Sequence, residues 1–125
     1  MESLVALVGV KAALEEPDFF AFLSQLNVDS ALDLRDDSQF DERWMCEFNA
    51  VQRGAFSEEV INLIDTLRER YFKLAFRITG NSDISARISD DIELISKRMV
   101  MGDQQSWAVK VLWSCYCNGL FPCHI

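Results

Sequence analysis

Residues 57–80 read SEEVINLIDTLRERYFKLAFRITG, and this stretch decides the fold class. Ser57 before Glu58 and Glu59 has the form of a helix N-cap with acids in the first turn, where they meet the positive end of the helix dipole. Phe56 and Ile61 stand at the positions of a hydrophobic staple. Val60, Ile64, Leu67, Tyr71, Leu74 and Ile78 then recur at steps of four and three, the period of one helical face. Gly80-Asn81 ends the run. Ile61, Phe72 and Phe76 add a second apolar face, so this long helix is predicted to be the central one.

The pattern continues downstream. Ser82-Asp83 is the expected cap of a second helix whose stripe is Ile84, Ile88, Ile92, Ile95 and Met99, with Glu93 and Lys97 as a favourable i,i+4 pair and Gly102 as the stop. A last helix is expected from about Asp103 to Asn118, carrying Trp107, Val111, Leu112 and Cys115, with Gly119 as its cap and Pro122 just beyond. Upstream, the segments Glu2–Leu14, Pro17–Leu26, Asp29–Asp37 and Asp41–Arg53 read as shorter helices, Pro17 suiting a first turn. No segment alternates apolar and polar residues with β-branched enrichment, so strands are not expected. The sequence predicts one all-α domain over residues 1–125, with about five to seven helices and a long central one. A chain of 125 residues can bury roughly two-thirds of its surface and support a core.

Charge is distributed unevenly. Residues 1–59 hold thirteen acids and only four bases, a net of −9, whereas residues 60–125 hold seven acids and eight bases, a net of +1, giving the whole chain −8. Such a balance disfavours direct contact with nucleic acid, since phosphate would repel it, and favours a basic partner. The apolar run Leu4–Val10 is too short to span a bilayer, and Glu2 stands where a secretory leader would be positive, so no membrane association is expected and the reading is cytoplasmic.

Enzymatic chemistry finds no footing in these residues. The single histidine is His124, the five glycines are scattered and form no phosphate loop, and no Glu-x-x-His pair is present, so no catalytic residue and no cofactor is assigned. Asp90, Asp91 and Glu93 read as a solvated, salt-bridged face beside Lys97 and Arg98. Cys115, Cys117, Cys123 and His124 offer zinc-type ligands, but two thiols two residues apart on a helix diverge, so reduced, metal-free cysteines are expected. No metal site is assigned.

The most pointed feature is acidic. On a helix, Asp29, Asp33, Asp36 and Asp37 fall at i, i+4, i+7 and i+8, within an arc of about a hundred degrees, with Val28, Ala31 and Leu34 on the other side. Like charges at this spacing oppose their own helix, whereas a face built only for solubility would mix signs. Asp41 and Glu42 extend the surface, and Phe40 and Trp44 are nearby aromatic anchors, which also suit plain core packing. These eight residues are the expected docking set for a basic protein.

Size, helical pattern, reduced cysteines and acidity together resemble bacterial immunity proteins, the inhibitors encoded beside toxins. The C-terminal run Trp113-Ser-Cys-Tyr-Cys-Asn-Gly-Leu-Phe-Pro122, a helix closing on an aromatic and Gly-x-x-Pro, is similar in style to the close of several of them. The resemblance implies an acidic face that plugs the nucleic-acid cleft of a nuclease toxin. Three other readings stay open: a nucleic-acid mimic that inhibits a host defence enzyme, a helical adaptor or oligomer subunit, and an enzyme whose carboxylates are paired by the fold.

Overall fold

The computed structural model describes residues 4–124. Its elements are α1 (Leu4–Leu14), a 3-10 turn (Ala21–Gln25), α2 (Val28–Arg35), α3 (Ser38–Gln52), α4 (Glu58–Thr79) and α5 (Ser82–Val100). A π-helical stretch (Ala108–Trp113) then runs directly into an α-turn (Ser114–Cys117), and the two together are α6. No strand occurs among the described residues. The all-α expectation holds.

Local chemistry fixes the longest helix where the sequence places it. Ser57 Oγ accepts from the Val60 N–H at 3.3 Å. At the other end Gly80 takes φ 67°, and its N–H closes the last turn on Phe76 O at 2.8 Å. A side chain is strained at that φ, so glycine suits the position. The next cap is Asn81 rather than Ser82-Asp83: its Oδ1 accepts from the Ile84 N–H at 2.9 Å. Gly80 and Asn81 thus make the whole connection between α4 and α5, which therefore pack side by side as a hairpin.

The enclosed helix is α5, not α4. Twelve of the nineteen residues of α5 are buried, on every side, and it touches α1, α2, α3, α4 and α6. By contrast α4 buries one stripe, Val60, Ile64, Leu67, Tyr71 and Ala75, while Ile61, Phe76 and Ile78 stay exposed. The apolar residues on the second side of α4 suggested enclosure that its neighbours do not supply. On α5 the buried serines Ser85, Ser89 and Ser96 are small enough for surrounding helices to close over it.

Two further segments differ from expectation. Pro17–Leu26 is not an α-helix: turns lead into the 3-10 stretch, where the three-residue period aligns Phe20 with Leu23, both buried. Phe20 sits 5.5 Å from Tyr71 of α4 and 6.1 Å from Tyr116 of α6, so this aromatic run wedges the two helices together. In α6 the buried line is Ala108, Leu112 and Tyr116 with Val109, while Trp107, Val111 and Cys115 are only half-buried. The wider π-turn sets those core positions in line at steps of four.

Candidate functional site

The acidic segment forms the corner between α2 and α3. Asn27 caps α2 through its Oδ1, which accepts from the Ser30 N–H at 3.0 Å. From there Ala31 and Arg35 point inward, and Asp29, Asp33 and Leu34 point outward. The helix stops at Arg35: Asp36 closes it, and Asp37, in extended conformation, caps α3. The stripe is therefore split over two helices instead of continuing along one. Leu34, expected inside, is exposed.

All six acids of the expected docking set are exposed. Asp36 accepts a 2.8 Å bond from Arg87. The side chains of Asp29, Asp33, Asp37, Asp41 and Glu42 have no hydrogen-bond or ion-pair partner among the described residues. An unneutralised group of this kind projects a negative field into solvent.

Directly beneath lies a charge pair that sequence reasoning missed. Arg35 and Asp91 are 3 % and 0 % exposed and form a two-pronged bond, Nη1 to Oδ2 and Nη2 to Oδ1, both at 2.8 Å. Trp44 Nε1 donates to Asp91 Oδ1 at 2.8 Å and the Tyr116 hydroxyl donates to Asp91 Oδ2 at 2.6 Å. Arg35 Nη1 also reaches the Pro122 carbonyl at 3.3 Å, and the guanidinium is flanked by the rings of Phe40 and Phe121 at 4.7 and 5.1 Å. One carboxylate thus joins α2, α3, α5 and α6. Burial alone would lower the Arg35 pKa, but Asp91 more than offsets it and the value is raised. Burial, then the negative charge of Asp91, pushes Tyr116 well above the ordinary tyrosine value.

The expected solvated face of α5 is therefore corrected. Asp91 and Glu93 are buried, and Asp90 is half-exposed. Asp91 stands seven residues after Ile84 and three after Ile88, on the isoleucine side of α5, whereas Glu93 falls opposite, where Gln52 of α3 and Arg68 of α4 meet it. Glu93 accepts from Lys97 at 2.7 Å and Gln52 at 3.2 Å and forms an ion pair with Arg68 at 2.7 Å. Burial would raise its pKa, yet the bonds from Lys97 and Gln52 and the positive charges of Arg68 and Lys97 leave it lowered. Asp90 receives Arg68 at 2.8 Å, but burial holds its pKa raised, with the negative charges of Asp91 and Glu93 adding to the effect. Arg98 bonds Glu47 and Asp103 and pairs with neither Asp90 nor Asp91.

Of the two expected anchors, Phe40 is 2 % exposed and packs edge-on against Trp107 at 5.4 Å, so its ring lies under the surface. Trp44 is half-buried, stacked on Phe48 at 4.9 Å and tied to Asp91. Phe40, Asp41 and Trp44 do meet, in the lining of a cavity of about 140 Å³ that Arg35, Arg87 and Asp90 also line. Asp37 borders a separate hollow, beside Leu34, Cys123 and His124. The one signal for Arg35 was its position: it is the only base between Asp29 and Glu42, and it shares a face with Ala31.

All four cysteines are free thiols, Cys46 and Cys117 exposed and Cys115 and Cys123 half-buried; burial raises the thiol pKa of the last three in the chain. No group of three or more His, Cys, Asp or Glu among the described residues is placed to hold a metal ion. Among the described residues no helix is long and apolar enough to cross a membrane.

Charge is thus spent in two ways, inward to lock helices together and outward as an acidic surface, on a small helical domain. That is the build of a scaffold presenting a surface. The model of the family described as Immunity protein PIM1 matches residues 9–123, and the chain belongs to that family. Its role is accordingly immunity, and its partner a toxin. Among curated proteins, no match was found.

Proposed function

We propose that this protein neutralises a nuclease toxin by laying the α2–α3 corner across the toxin's basic nucleic-acid cleft. The observation that carries the reading is the set of exposed carboxylates, Asp29, Asp33, Asp37, Asp41 and Glu42, with no countercharge among the described residues. Cations in a cleft shaped for phosphates would supply that countercharge. Long-range attraction speeds the encounter, and desolvated contacts near Trp44 slow departure. Phe40 supports the surface from below.

The test is surface-binding kinetics against the cognate toxin at two salt concentrations. Asp33, Asp37 and Glu42 are reversed together to Lys; the Asp37 side chain makes no cap bond, so α3 keeps its start. The on-rate should fall about tenfold or more at low salt, with a smaller change in off-rate, because exposed charges act during approach. Added oligonucleotide should compete with the protein for the toxin. Binding indifferent to salt and to the reversal would defeat the acidic-face reading. Binding unaffected by saturating oligonucleotide would defeat the cleft-blocking one.

A further inference from the structure

The cavity between α2, α3 and α5 holds both signs of charge, and its bonding decides which sign it still lacks. Arg35 is paired: both terminal nitrogens bond Asp91, one also bonds Pro122 O, and phenyl rings flank its plane. Arg87 is paired with Asp36 through Nη2. On the acid side Asp41 has no partner among the described residues, and Asp90 is bonded to Arg68 through Oδ1 only. Every other charge lining the cavity has an ion-pair partner of opposite sign, so the unpaired charge is that of Asp41 and the cavity calls for a cation.

Its size and walls narrow the cation further. About 140 Å³ is several times the ~30 Å³ share of one water, so the space suits a side-chain head group better than a lone ion. One wall is the Trp44 indole, held in place by its bond to Asp91 and its stack on Phe48. A flat, weakly hydrated guanidinium stacks on such a wall and bridges carboxylates, whereas an ammonium is a compact, strongly hydrated charge.

We infer that this cavity is a socket for one arginine side chain of the toxin, seated between Asp41, Asp90 and the Trp44 indole. The assignment of the arginine to the toxin rests on the toxin-docking reading above; the socket itself is tested without a toxin. The whole protein is titrated with N-acetylarginine amide while the three tryptophan indole N–H signals are followed by NMR, Trp107 and Trp113 serving as internal references. A saturable, millimolar shift confined to Trp44 is expected, at least fivefold weaker with the lysine analogue and absent with neutral citrulline amide. Asp41→Asn, a near-isosteric change at an exposed position, should weaken it at least threefold. No shift, an equal shift with citrulline, a uniform shift of all three indoles, or indifference to Asp41→Asn would each overturn the socket. With the toxin, Asp41→Asn should raise the off-rate at least fivefold at high salt, where the stripe reversal has little effect; an unchanged off-rate would deny the toxin's arginine this place even if the stripe steers.

Discussion

Asp33 and Arg35 stand two residues apart on α2, and their charges meet opposite environments. Arg35 turns inward, is almost wholly buried, and finds Asp91 waiting with both oxygens. Asp33 turns outward into water with no partner among the described residues. In the interior a charge is tolerable only when paired and hydrogen-bonded, so the buried pair ties helices into one arrangement. In solvent an unpaired charge costs little, and its field is free to act on a partner. The same short helix thus carries both an architectural charge and a recognition charge, sorted by the side it presents.

The largest effect should come from breaking the inner pair. Asp91→Ala strands Arg35 in the interior and removes the acceptor of Trp44 and Tyr116, so stability should fall by about 3–5 kcal/mol in denaturant unfolding. Replacing both partners, as Arg35→Met with Asp91→Leu, should recover a substantial part of that loss, because no lone buried charge remains. If Asp91→Ala behaves like a surface change, the contrast between the two sides of α2 collapses.

How much of this was legible follows from range. The period of Val60, Ile64, Leu67 and Tyr71, the Ser57 cap and the Gly80, Gly102 and Gly119 stops are local signals, and all act where the sequence puts them. The exposure of the six acids is local too, since charge spacing on a helix needs no tertiary knowledge. Asp91 lies seven residues after Ile84 and three after Ile88, so its spacing already puts it on the buried stripe; its charge led to a surface reading, and only its partner Arg35, far away in sequence, was beyond local signals. Phe40 and Trp44 were ambiguous for the same reason. An aromatic beside an acidic stripe can face either way until its packing neighbour, here Trp107 or Phe48, is known.

An intermediate case sharpens the comparison through pH. Glu93 is buried like Asp91 but served by two donors and the nearby charge of Arg68, and its pKa is lowered from the ordinary 4.5. A carboxylate whose pKa is depressed by folding adds stability above its unfolded value and loses it as pH falls through the folded one. Glu93→Gln should therefore destabilise the protein at pH 7, and the gap to the unaltered chain should narrow once pH drops below about 4.5. Denaturant midpoints measured from neutral to acid pH check this. A gap that stayed constant would mean that Glu93 acts by shape and hydrogen bonding alone.

The smallest change in stability is expected where the change in charge is greatest. Asp33 lies four residues after Asp29, so the two repel along α2, and it stands in the C-terminal half of that helix, where the dipole disfavours an acid. Asp33→Lys turns that repulsion into attraction to Asp29 and places a cation at the end that favours one. The denaturation midpoint should hold steady or rise slightly at low ionic strength, and the difference should vanish at 1 M salt, where screening acts within about 3 Å. A marked loss of stability would show that Asp33 serves the fold after all, and the division between inner and outer charge on α2 would fail. A steady midpoint alongside a slower encounter with the toxin would mean that the helix keeps an unfavourable charge for what it does outside the molecule.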